Sequence, residues 1–243
     1  MFFLYILNLF YVIYLLLAST LFLLLLPFFI LGLSLTKNYG ADAFRIYNHI
    51  YGVFLIKISW PILRINREGL NNLPGNSPCV VVVNHRSTLD IFFASLFTPA
   101  NTTIFVRSWP FRIWLFKWFM RSAGYIDIEN VPLKLFLDKE GRDLYEKKVS
   151  FVLFPEGHRS RDGKLQRFQS GAFLTASALD IPVIPVLLTG TEIFLPMNRP
   201  LISPAKVDIK ILPPIHPSSF PEDKRALKLR RHIETIFREH LDE

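Results

Sequence analysis

The sequence predicts an α/β domain with a single mixed sheet and helices on both faces, preceded by an apolar, membrane-anchoring helical segment. Three observations carry this prediction. The first 36 residues hold no charged side chain. From residue 61 onward, short β-branched runs alternate with helical patterns. Two of those runs end in polar loops, as strands do at the carboxyl edge of an α/β sheet. We therefore divide the chain into an anchor with an amphipathic helix, 1–60, and one α/β domain, 61–243.

The N-terminal segment is too long for one upright membrane span. As a helix, the charge-free stretch reaches roughly 54 Å, against a hydrocarbon core of roughly 30 Å. Pro27 predicts a break, which leaves a span of about 26 residues and then a bent or interfacial piece. A secretory signal is the alternative, but the basic start and the small-residue cleavage site are absent. A true span and a helix lying in one leaflet both remain open.

Cations outnumber acids just after this segment, beginning with Lys37. The positive-inside rule therefore places the rest of the chain on the cytoplasmic side of the membrane. Residues 41–59 repeat large apolar side chains every three or four positions, which predicts an amphipathic helix packed on the domain or lying on lipid. Arg45, His49 and Gly52 fall on the face predicted to be polar, and His49 is expected to have no catalytic role.

The remaining elements follow from local patterns. Strands are predicted at 62–70, 79–83, 102–106, 125–128, 150–154, 181–188 and 206–212. Helices are predicted at 89–97, 111–120, 165–180 and 222–242. Residues 107–122 interleave aromatic rings with cations, which favours membrane contact, and a buried core helix with a charged outer face is the alternative.

Charge and cysteine content narrow the partners. The formal net charge of +8 fits nucleic acid, an anionic lipid surface or a phosphorylated substrate. Zinc-finger spacing, RNP-like motifs and polybasic tails are absent from the sequence. We therefore expect lipid and phosphate partners and no nucleic acid. A single cysteine, Cys79, excludes an internal disulfide.

The stretch "NHRSTLD" at 84–90 follows the β-branched run directly. A strand ending in Asn84 delivers the His85 imidazole to the carboxyl edge of the sheet. Ser87 and Asp90 also fit a capping box, in which the serine caps the next helix and the carboxylate sits at its third position. Both roles are compatible, because a carboxylate in the first helical turn can reach back and orient the imidazole.

A second strand, 150–154, ends in "FPEGHRSRDGKL". This loop carries Glu156, Arg159, Ser160 and Arg161, with Gly157 free to let the backbone approach a ligand closely. A guanidinium fork suits a pair of phosphate oxygens. A solvated turn with scattered charges is the alternative interpretation.

Together these stretches are more specific than either alone. "NHRSTLD" fits NHxxxxD, "FPEGHRS" fits FPEGxRS, and "IPVIPV" at 181–186 follows in the expected order. The chain thus resembles the glycerolipid acyltransferase superfamily, and most closely its bacterial 1-acylglycerol-3-phosphate acyltransferases. The resemblance covers roughly residues 60–215.

The resemblance implies an O-acyltransferase that moves a fatty acyl group from acyl-CoA or acyl-ACP to a lysophospholipid hydroxyl, without metal or cofactor. It implies that His85 is the general base and that Asp90 orients it. It assigns acceptor binding to Glu156, Gly157 and Arg159, with Ser160 in the same block. Pro185 would shape the substrate pocket. The implied location is the cytoplasmic face of a bacterial inner membrane.

Two departures from the family pattern affect the acceptor. Where the family has a lysine after the intermediate strand and a closing arginine, this chain has Arg107 and "GYIDIEN", which closes with Glu129 and Asn130. Arg107 is retained as a substrate-binding candidate, and Arg121 or Lys134 is expected to supply the other cation. Another lysolipid or an aminoacyl lipid is therefore an alternative acceptor. His158 replaces the usual threonine and is expected to be a neutral pocket residue or an acceptor contact.

Two other function classes compete with acyl transfer. A membrane-bound hydrolase, including an acyl-thioesterase, is one, although GxSxG and HExxH motifs are absent from the sequence. A non-catalytic lipid-binding scaffold is the other, and the presence of both His85 and Asp90 argues against it.

Overall fold

The fold is built on one mixed sheet. The computed structural model describes residues 2–35, 40–75, 77–160, 164–196 and 201–241. Among these residues, seven strands lie in the order β1-β7-β6-β2-β5-β3-β4. Their bounds are β1 Leu63–Glu68, β2 Val80–Val83, β3 Thr102–Val106, β4 Ile126–Asp127, β5 Ser150–Leu153, β6 Val183–Thr189 and β7 Ala205–Ile211. The expectations for Lys37, Arg161 and the end of the last helix at residue 242 fall outside the described residues.

Five neighbouring strands run in the same direction. β2 pairs in parallel with both β5 and β6, and β3 pairs in parallel with β5 and β4. β7 is antiparallel to β6 and parallel to β1. The carboxyl ends of β2, β5 and β3 therefore meet at one edge, which is where the two polar stretches begin.

Helices cover both faces, as predicted. They are α1 Phe2–Leu35, α2 Ala41–Ile58, α3 Asp90–Phe93, α4 Trp114–Ser122, α5 Leu133–Asp138, α6 Glu140–Glu146, α7 Gly171–Leu179, α8 Thr191–Phe194 and α9 Arg225–Leu241. On one face, α7 and α9 pack Phe173 and Phe237 against Val80 and Val82 of the sheet. On the other face, α2 and α3 contribute to a core that contains Val81 and Val83. The four buried valines of β2 thus join both cores.

The predicted break at Pro27 is wrong. α1 is one helix of 34 residues with Pro27 in its interior. A proline there removes one backbone hydrogen bond, but side chains on both sides of it, Phe22 and Phe29, pack on the rings of α2. This packing supports the helix across the proline. Tyr5–Leu33 is long and apolar enough to cross a membrane, and few of its residues are buried.

One side of α1 is docked on the rest of the molecule along most of its length. The Asn8 side chain donates to the Ile202 carbonyl at 2.9 Å and accepts from the Ile202 amide at 2.6 Å. The Tyr11 hydroxyl donates to Ser59 Oγ at 2.5 Å. Further along, the Tyr47 hydroxyl donates to the carbonyl of Phe22. The other side of α1 exposes a row of large apolar side chains, among them Phe10, Leu17, Leu24, Phe28 and Leu31.

α2 is packed on the domain, but through the face that was predicted to be polar. Arg45 is buried and donates to Asn101 Oδ1 and to the Ala123 carbonyl, and it pairs with Asp42. A Cβ at Gly52 would come within 2.6 Å of Ser95 Oγ, so α2 closely approaches the 3-10 turn that follows α3. The aromatic face contacts α1 instead. α2 lies between α1 and the α/β domain. Arg45 and Gly52, which the periodicity assigned to a solvent face, are therefore the residues that pack tightly on the domain.

Other helices differ from the prediction in extent. α5 and α6 were not predicted; they connect β4 to β5 along the chain and contribute Phe136 and Leu144 to the core under α7 and α9. α7 begins at Gly171 rather than at residue 165, because the preceding residues form a loop whose Gln166 amide donates to Glu156. In place of the helix predicted at 89–97, the structure has the short helix α3 followed by one 3-10 turn, Ala94–Leu96.

Asn84 converts the end of β2 into the start of the site. Its side chain is buried, donates to the Leu188 carbonyl at 2.8 Å and accepts from the Leu188 amide at 2.8 Å. The side chain thus takes over the pairing of β2 with β6 after the backbone of β2 has left the ladder. The following residues are free to turn away from the sheet.

Candidate active site

The His85 ring stands at the carboxyl edge of the sheet, directly after β2. Its Nδ1 lies 2.8 Å from Asp90 Oδ2, and its side chain is 20% exposed. The ring packs on Phe154, with the centroids 4.4 Å apart. Because a carboxylate accepts, Nδ1 is the protonated nitrogen, and Nε2 remains as the basic nitrogen. No described residue hydrogen-bonds to Nε2.

Asp90 is held by the loop that it closes. Its Oδ2 accepts the Arg86 amide at 2.7 Å and the Ser87 amide at 2.8 Å, in addition to the imidazole. Asp90 is fully buried. The Ser87 bond is one half of the predicted capping box, whereas the Ser87 hydroxyl accepts from the Leu89 amide and donates to the Leu195 carbonyl. α3 begins at Asp90, and its N-cap Leu89 has no side-chain cap bond, so the predicted cap of this helix by Ser87 is wrong, whereas the Asp90 carboxylate does contact the imidazole.

The second stretch holds the main chain of His85. The His85 amide donates to Glu156 Oε1 at 2.7 Å, and its carbonyl accepts from the Ser160 amide at 2.9 Å. The other oxygen of Glu156 accepts the Gln166 amide at 2.9 Å. Glu156 is 2% exposed and Ser160 is buried. In this structure both residues thus position His85, rather than facing an open acceptor site.

Burial decides the electrostatics of Glu156. Removal from water raises the pKa of its carboxyl group, and the two backbone amides oppose that rise. Desolvation is the larger effect, because a buried carboxylate loses more hydration than two amide donors restore. Arg86 and His85 add weaker favourable charge interactions.

We call Glu156 and Ser160, which bond the main chain of His85, the clamp. Gly157 and Arg159 lie between these two residues. Gly157 has φ of 74°, a left-handed conformation that glycine adopts most easily, and its amide closes a turn onto the Phe154 carbonyl. Arg159 donates from Nη1 to Thr88 Oγ1 at 2.6 Å, which ties the second stretch to the first. The guanidinium remains partly exposed. Arg159 is therefore a partly exposed cation tied to Thr88, in the loop between His85 and Asp90.

Arg107 is placed differently. It follows β3 at the same edge, and its Nε donates to Glu129 Oε1 at 2.7 Å. The other oxygen of Glu129 accepts the Ser108 amide. The Arg107 side chain lowers the pKa of the Glu129 carboxyl group, with help from Ser108. The two residues that depart from the family pattern, Arg107 and Glu129, thus form an ion pair with each other.

The other predicted residues do not join the site directly. Pro185 lies inside β6 opposite Val82, buried, with its carbonyl bonded to the Leu212 amide. It contributes to the sheet rather than to the opening beside His85. Arg121 and Lys134 lie on α4 and α5, and neither bonds to a described residue of the site. His158 is exposed.

Three contributors were missed from the sequence: Asn84, Thr88 and Phe154. A polar residue at the end of a wholly apolar strand was the available signal for Asn84. Thr88 and Phe154 gave no such signal, because a threonine in a loop and an aromatic at a strand end are common.

A basic nitrogen oriented by a buried carboxylate can remove a proton from a hydroxyl as it attacks a carbonyl. A partly exposed arginine beside it can hold an anionic group of the same substrate. The arrangement therefore fits a transfer reaction onto an alcohol that carries a phosphate.

Known proteins are similar to this chain in fold and in sequence. A solved structure of the 1-acyl-sn-glycerophosphate acyltransferase PlsC from Thermotoga maritima matches with a TM-score of 0.77 and 26% identity, covering 98% of this chain and 96% of that one. A chloroplastic 1-acyl-sn-glycerol-3-phosphate acyltransferase of Arabidopsis thaliana is 33% identical over 72% of this chain and 50% of its own. The mouse alpha enzyme of the same name is 28% identical over 73% of this chain and 65% of its own.

The chain thus spans about half the length of its Arabidopsis relative. The model of the Acyltransferase family matches residues 64–189. That match includes both halves of the site, the His85–Asp90 loop and the Glu156–Ser160 stretch, and this chain belongs to the acyltransferase family.

Proposed function

We propose that this protein transfers a fatty acyl group from an acyl thioester to the free hydroxyl of 1-acyl-glycerol-3-phosphate, giving phosphatidic acid. The observation that carries the proposal is the 2.8 Å contact between His85 Nδ1 and Asp90 Oδ2 at the carboxyl edge of the sheet. The names of the relatives and of the matching structure support the same reaction.

The reaction follows from the free imidazole nitrogen. As the acceptor hydroxyl attacks the thioester carbonyl, His85 Nε2 takes its proton, and Asp90 stabilises the resulting imidazolium. The tetrahedral intermediate then expels the thiolate, and the imidazolium returns the proton to sulfur. A new ester bond replaces the thioester bond, so no other reactant is needed. The donor is acyl-CoA or acyl-ACP, and no metal or cofactor is required.

The acceptor's phosphate is assigned to Arg159, because this residue is partly exposed and bonds to Thr88 in the loop that carries His85 and Asp90. Arg107 is less available, since Glu129 accepts its Nε. This ion pair favours a second candidate acceptor, a lysolipid or aminoacyl lipid with a positive group that Glu129 attracts. An acyl-thioesterase, in which water replaces the acceptor, is the remaining alternative.

One apolar helix near the N-terminus suggests membrane association. We propose that α1 lies within one leaflet and that the domain sits on the cytoplasmic face of a bacterial inner membrane. Docked residues run from Asn8 to Phe29, roughly 32 Å of helix and close to the thickness of the hydrocarbon core. A spanning α1 would carry the non-helical chain at Ile202, which is docked on it, into the hydrocarbon core, where irregular backbone is not found against lipid.

His85→Ala should lower kcat by about 100- to 10,000-fold, because a positioned base contributes that much. Asp90→Asn should also lower kcat, because it removes the charge that stabilises the imidazolium. Thiol release from acyl-CoA, measured with and without lysophosphatidate, reports both, and thermal unfolding checks that the variants fold. His232→Ala on α9 is the matched control. Near-normal turnover by His85→Ala would refute the assignment, and equal thiol release without acceptor would show a thioesterase.

Glu156→Gln should destabilise the clamp, because an amide cannot accept both backbone N–H groups; the cost is about 1–3 kcal/mol. Burial raises the pKa of Glu156, so the folded protein holds this proton more tightly than the unfolded chain does. Wild-type stability from this group therefore falls as pH rises through the window between the ordinary and the raised pKa. Glutamine does not titrate.

The stability gap between wild type and Glu156→Gln should consequently be widest on the acid side of that window and narrow above it. Denaturant unfolding at several pH values measures the gap. The exposed Glu146→Gln on α6 is the control and should change little. A gap that widens as pH rises would contradict the assignment of a desolvated carboxylate.

Arg159→Ala should raise the KM for lysophosphatidate by about 10- to 100-fold, the equivalent of one charge-assisted hydrogen bond, and should change kcat less. Arg159→Lys should recover part of the loss, because it keeps the charge without the fork. Steady-state kinetics at saturating acyl-CoA gives both constants, with Arg231→Ala as the control. An unchanged KM together with a lower kcat would show that the bond to Thr88 is purely structural.

Placement in one leaflet predicts that both ends of the chain face the same side. Cys79 is fully buried, so maleimide labelling of an added cysteine has a silent background. In inside-out vesicles, an N-terminal tag should be open to added protease, and Thr235→Cys should label with an impermeant maleimide. A tag that is cut only in right-side-out vesicles would establish a span.

A further inference from the structure

Residues 109–118 expose an unusual amount of apolar surface outside α1. Five large side chains on and just before α4 are between 43% and 82% exposed, namely Trp109, Ile113, Trp114, Phe116 and Trp118. Contiguous exposed patches of this kind mark sites of contact with another surface. We call these residues, with Arg112, Lys117 and Arg121, the aromatic–basic surface.

The charges of this surface have one sign. From Arg107 to Ile126 the sequence contains four cations and no acid. Arg107 is occupied by Glu129, whereas Arg112, Lys117 and Arg121 are exposed and form no ion pair with any described residue. The surface therefore offers three cations among aromatic rings to an anionic partner.

The aromatic–basic surface packs on α2, the helix that also holds α1. The Trp118 ring meets Phe44 of α2 edge-on, with the centroids 5.5 Å apart. On the same helix Tyr47 contacts Phe29 of α1 at 5.3 Å. A row of rings thus joins α4, through α2, to the helix whose other side is apolar and exposed.

The position of the surface in the sheet relates it to the reaction. Its chain leaves β3 at Val106, and β3 runs parallel to β5, which runs parallel to β2. The segment therefore starts at the same edge as His85. A membrane that touched it would lie at the edge where a lipid acceptor must arrive.

We propose that the aromatic–basic surface is a second membrane contact, which binds the headgroup region of an anionic lipid bilayer. Aromatic rings and long cationic side chains are favoured at that depth, where one end is apolar and the other wet. Each exposed cation adds electrostatic attraction to anionic lipid. An acidic carrier protein would also match the cations, but the exposed rings among them, and the apolar, membrane-length helix α1 in the same packed group of helices, favour lipid.

Depth-dependent quenching of tryptophan fluorescence tests this contact independently of enzyme activity. The full chain is prepared with Trp114 as its only tryptophan, the others being replaced by Phe, and is reconstituted into phosphatidylcholine vesicles containing phosphatidylglycerol. An interfacial helix buries its apolar face about 5–10 Å into the headgroup boundary, so lipids brominated near the start of the acyl chain should remove about half of the Trp114 emission. Lipids brominated near the chain end should quench less.

The matched control has its only tryptophan at Thr235→Trp, on the exposed side of α9 and on the opposite face of the sheet, and should not be quenched. Arg112→Glu with Lys117→Glu should reduce the quenching of Trp114. Emission from Trp114 that no brominated lipid changes would overturn the proposal. Shielding of Trp114 by acyl carrier protein in detergent, with no quenching in vesicles, would assign the surface to a protein partner and overturn it as well.

Discussion

The candidate site depends on how the main chain of His85 is held after β2 ends. Its N–H is bonded to Glu156 and its C=O to the Ser160 amide. These two bonds continue the pairing of β2 and β5 beyond both strands, one of them through a side chain. Asn84 does the same towards β6. The chain therefore leaves the centre of the sheet with both backbone groups of His85 paired, and the position of the imidazole is fixed before Asp90 orients its ring.

The strands could be predicted because their cause is local: β-branched runs bounded by turns fit a buried sheet wherever they occur. The face through which α2 packs on the domain could not be predicted. Amphipathicity assumes one apolar partner, and α2 has two, so Arg45 and Gly52 mark a tight fit that periodicity presents as a solvent face. The break predicted at Pro27 was wrong for a related reason: the packing of α1 on α2 outweighs the one backbone hydrogen bond that proline removes. α5 and α6 are short and depend on tertiary contacts that no local pattern records.

The same limit applies inside the site. The His85–Asp90 pair was predictable, because spacing along a strand end and a first helical turn brings the two side chains together. The contacts of Glu156 were not, because a carboxylate in a glycine-containing loop fits substrate binding and backbone support equally well. Only the burial of Glu156 and its two amide donors separate these roles. For Arg107, the ion pair depends on β4 lying beside β3, a neighbour relation that the sequence does not state.

In the proposed reaction, the residues that hold His85, the Arg107–Glu129 ion pair and the apolar helix α1 act together on the acceptor. An acceptor held in a bilayer has its hydroxyl close to its phosphate, so a base and a cation for the two must stand side by side at the lipid surface. In the proposed assignment His85 and Arg159 form this pair, because Arg159 bonds to Thr88 in the loop that His85 begins. Arg107 stands at the same edge but is matched by its own carboxylate. In the proposed reaction, headgroup recognition is therefore concentrated on Arg159, while the neighbouring strand end presents the balanced pair of Arg107 and Glu129.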